Sequence, residues 1–311
     1  MLRCTNVKCG RKEAAVVPRV ARRRRPAGYD INPVLFSPAM QYAEAVRSPS
    51  ERYSMQPDRA FFDLLADAAR KETLPRFRVG ADVVNKEASG FDPVTEGDRA
   101  AEAAIRALIE QHFPDHGILG EEHGSVGLDR EYVWVIDPID GTRAFISGVP
   151  VWGTLIGLYR NGKAVKGLVD QPFTGERYFA DGEVSRYAGP DGDKVLSVRA
   201  CDSLSDAILF TTSPHLFTES RKPRFEAVQD RVRLFRYGVD CYAYALLAAG
   251  HVDLVVECGL KPYDVGGLIP VIEQAGGIIT NWDGGPAEMG GEIIAAGSRR
   301  VYDQAMALLK G

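Results

Sequence analysis

The chain lacks several features that would declare a chemistry outright. None of its 311 residues fall in an apolar run of about 18, which excludes a membrane-spanning helix. Cysteine is scarce: Cys4, Cys9, Cys201, Cys241 and Cys258 are scattered and odd in number. That usage excludes a disulfide scaffold and fits a reduced, cytoplasmic protein. No second Cys or His pair lies near Cys4 and Cys9 to complete a zinc site. Histidine is sparse too, and His112, His116, His123, His215 and His251 show no ligand spacing. There is no Gly-x-Ser-x-Gly elbow, no Gly-x-x-x-x-Gly-Lys-Ser/Thr phosphate loop and no Cys-x₅-Arg loop. Those absences leave metal-assisted chemistry without a strong competitor.

Charge is unevenly spread. Residues 1–54 hold eleven Lys/Arg against four Asp/Glu, a balance of +7 that leaves −11 for the remainder of a chain with a net charge of −4. An acidic body argues against general nucleic-acid binding and suits a site that gathers carboxylates around cations. The leader, with Arg22-Arg23-Arg24-Arg25 and several prolines, reads as a disordered basic segment. A transit peptide and an upstream misassigned start, with translation beginning near Met40 or Met55, are both compatible with it.

From Met55 the pattern is that of a folded protein. Phe61, Phe62, Leu64, Leu65, Ala68 and Ala69 recur at helical spacing, and a second helix is expected from Thr95 to about His112. Residues 132–136, 152–159, 164–170 and 177–180 read as strands, with a hairpin turn at Arg160-Asn161-Gly162-Lys163. Asp181–Asp193, rich in Gly and Asp, is expected to be an exposed loop. A second unit is expected from about Val195, with strands at 208–211, 254–257, 278–280 and 293–296. Its helices are expected at 242–249, 264–275 and 301–309. The pattern predicts a layered α+β fold with subdomains 55–194 and 195–311.

Four acidic clusters punctuate this body: Asp92-Pro-Val-Thr95-Glu-Gly-Asp98, Gly120-Glu121-Glu122, Asp137-Pro-Ile-Asp140-Gly-Thr142, and Lys261-Pro-Tyr263-Asp264. The third is the most informative. A buried strand runs into Asp137, Pro138 ends its ladder, and Asp140-Gly141-Thr142 turns the chain. Two carboxylates so placed repel each other unless a proton or a cation intervenes, and Mg²⁺ favours carboxylate oxygens. Taken singly, each cluster has a structural reading: Asp92 or Thr95 as a helix cap, Glu121-Glu122 as solvated surface, Asp140-Gly141 as an ordinary turn.

In this order the four clusters resemble the inositol monophosphatase family of Mg²⁺-dependent, lithium-sensitive phosphomonoesterases, over about Gln56 to Leu309. The run 134–145 and Asp264…Glu273-Gln-Ala-Gly-Gly277 carry most of the likeness; Tyr263 stands where the family usually has Trp. The resemblance implies a layered α/β/α/β/α sandwich and two or three Mg²⁺ ions. Glu121, Asp137 and the Ile139 carbonyl would hold the first ion; Asp137, Asp140 and Asp264 would hold the second. Thr142 and Asp92 would orient and deprotonate a water, Thr95 would hold Asp92, and Gly141 and Thr142 N–H groups would cradle the phosphate. Lys86 is expected near the site, and homodimerisation is a family expectation.

Within the family, Lys71–Phe77, Val151–Ile156, Thr211-Thr-Ser-Pro214, Asp240–Gly250 and Leu260–Asp264 resemble the histidinol-phosphate phosphatase branch. The expected substrate is a small phosphorylated metabolite bearing cationic groups, with Asp240 and Glu257 as its carboxylate partners. Asp240 also reads as an N-cap for the following helix, and Trp152 as a pocket wall or a core residue. Inositol 1-phosphate and broader sugar phosphates are alternative substrates. A regulatory member that binds RNA polymerase or ribosomal components is the non-enzymatic alternative.

Overall fold

The computed structural model describes residues 56–79, 83–85 and 93–310. The basic leader, Lys86 and Asp92 lie outside these residues. Helix α1 (Arg59–Thr73) starts where the Phe61 amide donates to the Asp58 carboxylate at 3.0 Å, and α2 (Glu96–His112) is capped by Thr95. Phe62, Leu65, Ala66 and Ala69 on α1, with Ala101, Ile105 and Ile109 on α2, form two apolar stripes at helical spacing. Both stripes bury against one face of an eight-stranded sheet. Before that sheet, β1 (Val83–Asn85) and β2 (Pro93–Thr95) form a small antiparallel ribbon.

The large sheet contains β3 (Gly117–Gly120), β4 (Ser125–Val126), β5 (Tyr132–Asp140), β6 (Gly153–Arg160), β7 (Lys163–Gln171), β8 (Glu176–Ala180), β9 (Ser185–Gly189) and β10 (Gly192–Val195). Their order is β10-β9-β8-β7-β6-β5-β3-β4, antiparallel except that β3 runs parallel to β5. The expected loop at 181–193 is therefore corrected. Its Gly and Asp residues supply turns, while Ser185–Gly189 pairs with β8 and Gly192–Val195 closes a hairpin on it. Because both faces of the sheet are covered, β5 is apolar at successive positions: Trp134 and Ile136 face α1 and α2, while Val133 and Val135 face the other way.

On that second face lie the short helices α5 (Cys241–Ala248), α6 (Pro262–Gly266) and α7 (Leu268–Glu273). The helix expected to run unbroken over 264–275 starts at Pro262 and is interrupted at Gly267. Pro270 has no N–H for the Gly266 carbonyl, and close approach to the sheet accompanies the interruption. A Cβ on Gly167 would fall 2.2 Å from the Gly267 carbonyl oxygen, and one on Gly157 2.5 Å from Gly266. Glycine facing glycine seats the α6–α7 junction directly on the sheet. Beyond these helices stands a five-stranded sheet, β12-β11-β13-β15-β14. Its strands are β11 (Ile208–Thr211), β12 (Leu234–Tyr237), β13 (Leu254–Leu260), β14 (Ile278–Asn281) and β15 (Gly291–Ala296). Val255, Ile293 and Ala295 face the middle helices; Leu254, Val256, Ile294 and Ala296 face the outer helices α4 (Arg221–Gln229) and α8 (Arg299–Leu309). The layers follow the expected α/β/α/β/α order.

Candidate metal centre and substrate pocket

At the end of β5 the ladder to β6 slips between Asp137 and Asp140. Pro138 has no N–H to give the ladder, and its carbonyl is taken by the Thr154 hydroxyl at 2.8 Å. The resulting bulge turns Asp137 and Asp140 toward the middle helical layer. Gly141 then turns the chain at φ +82°, and the short helix α3 (Thr142–Ile146) begins. Asp264 arrives from the opposite side on α6. One carboxylate oxygen from each of Asp137, Asp140 and Asp264 lies within 4.8 Å of the others, and Asp137 is buried.

The electrostatics of this cluster are those of like charges without a counter-ion. Burial, then Glu121, Asp140 and Asp264, hold the Asp137 carboxyl well above the usual carboxylate range. Burial raises Asp140, with Asp240 and Asp264 adding to the effect, and burial pushes Asp264 up to about 7. Asp137 Oδ1 is buried and accepts no hydrogen bond from the protein. Hard carboxylate oxygens, converging, with one buried oxygen unpartnered, fit a divalent cation such as Mg²⁺. The Ile139 carbonyl lies on the same turn and accepts the Thr142 hydroxyl at 3.1 Å.

Thr95 sits at the start of α2. Its hydroxyl donates to Asp98 Oδ2 at 2.5 Å, and the Asp98 carboxylate also accepts the Thr95 amide at 2.8 Å. The family resemblance pairs Thr95 with Asp92, which lies outside the described residues, and gives Asp98 of the same cluster no role. Asp98 is buried, one of its oxygens has no partner, and burial raises its carboxyl to about 6, with Glu121 contributing. Asp98 is the buried acid of this region that spacing alone left without a role. Its only signal was an acid three residues after a capping Thr, which ordinarily means a capping box.

Asp240 and Glu257 reach the site from the second sheet's side. Asp240 occupies the cap position of α5, but its side chain makes no capping bond, so the N-cap reading is set aside. Its backbone holds φ 47° and ψ −140°, a conformation that costs a non-glycine residue about 1–3 kcal/mol. A Cβ on Gly141 would lie 3.0 Å from Asp240 Oδ2, so glycine there lets the Asp240 carboxylate rest on the turn. Glu257 is buried on β13. Its Oε1 accepts the Thr212 amide at 2.5 Å, Oε2 is unpartnered, and burial lifts its carboxyl to about 8. The buried Tyr244 hydroxyl and Thr211 hydroxyl are likewise unpartnered; Glu257 is the first of the charges that raise the Tyr244 phenol after burial itself. Trp152 is a core residue, packed edge-on to Phe145 and against Phe77 behind Ile139.

Residues 55–310 match the model of the inositol monophosphatase family. The bifunctional phosphatase IMPL2, chloroplastic, of Arabidopsis thaliana is 44% identical over 277 residues, covering 85% of this chain and 78% of that protein. A histidinol-phosphatase of Chlorobaculum parvum is 34% identical over 248 residues, 79% of this chain and 94% of its own. The solved structure of an inositol monophosphatase from Zymomonas mobilis superposes with a TM-score of 0.72 at 38% identity, covering 85% of this chain and 100% of that one. With its layered fold and converging carboxylates, this chain belongs to the inositol monophosphatase family of phosphatases.

Proposed function

We propose that this chain is a Mg²⁺-dependent phosphomonoesterase whose preferred ester is L-histidinol phosphate. The observation that carries the reading is the convergence of Asp137, Asp140 and Asp264 within 4.8 Å, beside Glu121, with Asp137 Oδ1 unpartnered. Glu121, Asp137 and the Ile139 carbonyl would hold one ion; Asp137, Asp140 and Asp264 would hold a second, with a third near Glu121. The chemistry that Mg²⁺ supplies when bound is neutralisation of phosphoryl charge and a more acidic attacking water.

The chain's own residues do the rest. The Thr142 hydroxyl orients the water, and a carboxylate takes its proton. Asp98 suits that task, because it has an oxygen without a partner and a carboxyl at about 6, close to neutral operating pH. The N–H groups of Gly141 and Thr142, at the opening of α3, face the phosphate. Asp240 and Glu257 receive the cationic end of the substrate in charge-assisted hydrogen bonds. The histidinol-phosphatase relative supports this assignment. The likeness to an inositol monophosphatase supports inositol 1-phosphate as a second ester.

The test is phosphate release from histidinol phosphate, inositol 1-phosphate and p-nitrophenyl phosphate, with Mg²⁺ or with EDTA. Fastest Mg²⁺-dependent turnover of histidinol phosphate is expected. A large preference for inositol 1-phosphate would overturn the substrate, and undiminished turnover in EDTA would overturn the metal.

A further inference from the structure

Glu102 takes no part in the scheme above, yet it is a completely buried carboxylate in the middle of α2. Its acceptors are spent on the turn that carries Glu121. Oε2 accepts the Glu122 amide at 2.6 Å, and Oε1 accepts the His123 amide at 3.1 Å and Arg106 Nε at 2.7 Å. Arg106 in turn donates from its other end to the Gly124 carbonyl. The approach is so close that a Cβ on Gly120 would fall 1.9 Å from Glu102 Oε1. The far side of the turn is tied to the metal strand, because the Glu121 amide donates to the Ile136 carbonyl at 3.2 Å, one residue before Asp137.

Glu121 is therefore gripped from both sides, and like charge gives the grip its purpose. The Glu121 carboxylate faces Asp137, and Coulomb repulsion pushes a free surface turn away from the cluster whenever no cation intervenes. Backbone amides held by a buried carboxylate resist that push, and Arg106 ties the carboxylate to the same turn. The positions 98, 102 and 106 follow one another at four-residue steps, so they share one face of α2. The helix thus presents Asp98 to the site, and Glu102 with Arg106 to the turn.

We propose that Glu102 is a positioning residue of the cation centre: it holds the 120–124 turn so that Glu121 stands at ligand distance before a cation binds. The inference rests on the reading of Glu121 as a metal ligand. Glu102→Gln in the full chain tests it, because one end of the amide is a donor and must face an amide or guanidinium N–H. Mg²⁺ affinity is read by titration calorimetry and by the rise in melting temperature on adding Mg²⁺. Outer partners of metal ligands typically change affinity about ten- to hundredfold, and a loss in that range is expected, with kcat at saturating Mg²⁺ nearly retained.

A folded Glu102→Gln protein with wild-type Mg²⁺ affinity overturns the proposal. Glu121→Gln separates the two readings. If it leaves Mg²⁺ affinity unchanged, the ligand assignment fails; if it weakens binding while Glu102→Gln does not, the positioning role alone fails. Should Glu102→Gln not fold, Arg106→Lys keeps a cation beside Glu102 but cannot span to the Gly124 carbonyl. A Kd for Mg²⁺ raised about threefold or more supports the proposal, and an unchanged Kd overturns it.

Discussion

Replacing Asp137 by Asn separates a ligand from a structural residue. Two carboxylates 4.8 Å apart repel by about 3.5 kcal/mol at an effective dielectric constant of about 20. Asp137 faces Asp140, Asp264 and Glu121. Asn keeps the shape of a protonated Asp and removes the repulsion, so in EDTA the variant should melt no lower than the wild type. The sign with pH follows from the raised carboxyl. A group whose folded pKa lies above its unfolded value stabilises the fold at low pH and loses that contribution as pH rises, so the advantage of Asn should grow as pH rises. Mg²⁺ reverses the comparison. At about a hundredfold excess over Kd it adds about 2.7 kcal/mol to the wild type, or about 5–11 °C for a domain of this size. Thermal unfolding followed by circular dichroism, with EDTA and with Mg²⁺, gives both quantities. The expected pattern is an equal or higher melting temperature in EDTA, the Mg²⁺-dependent rise gone, and turnover abolished. A variant that melts several degrees low in EDTA, or that keeps the full Mg²⁺ rise, refutes the bridging role.

Two further outcomes are expected. His116 is stacked between Phe113 and Tyr132, its Nδ1 accepts the Trp134 indole N–H at 3.1 Å, and burial pushes its pKa down to about 4. The folded value lies below the unfolded one of about 6.5, so His116 contributes fully above that pH and loses stability as pH falls toward about 4. The cost is about 3 kcal/mol at most and about 1–2 after solvent screening. Urea midpoints at about pH 7 and pH 4.5 should converge for wild type and His116→Asn by that amount at the lower pH, and parallel shifts would refute the coupling. Glu257→Gln, read by steady-state kinetics, should raise KM for histidinol phosphate roughly ten- to hundredfold, the worth of a hydrogen bond to a charged group. KM for p-nitrophenyl phosphate should hardly move, and equal effects on both esters would show that Glu257 does not read the substrate.

What could be seen in the sequence was local. Asp137-Pro-Ile-Asp140-Gly141 announces its geometry because Pro breaks a ladder and Gly turns the chain within five residues; in the structure the ladder slips at Pro138 and resumes at Asp140 instead of ending, and the left-handed turn follows. The stripes of α1 and α2 were plain for the same reason. The rest depended on contacts distant in sequence. Glu102 and Arg106 look like an ordinary i,i+4 pair on a solvated face, and only the 120–124 turn folding onto them buries Glu102. The break at Gly267 had a local signal in Gly266-Gly267 and Pro270, which has no N–H for the Gly266 carbonyl, while the fit of those glycines against Gly157 and Gly167 depends on neighbouring strands. The edge hairpin β9–β10 is held by backbone pairing that Gly- and Asp-rich composition conceals. Thr211 and Tyr244 gain interest only by standing unpaired near Glu257.

The carboxylates of the site divide into two kinds, and the division explains why Asp137 sits at the centre. Three of the outer carboxylates are tethered to the start of a helix by a backbone amide: Asp98 by Thr95, Asp140 by Cys241 at 2.7 Å, and Asp264 by Lys261 at 2.6 Å. Such a tether fixes the orientation of a carboxylate and occupies one oxygen, leaving the other to face inward. Among the described residues Asp137 receives no amide. It is the most enclosed of the three converging carboxylates. A cation placed among them satisfies Asp137 first and the tethered carboxylates second. The helix starts therefore act as a frame built before any cation arrives. Cutting a tether should misplace one ligand, whereas neutralising Asp137 should remove the reason for the others to converge.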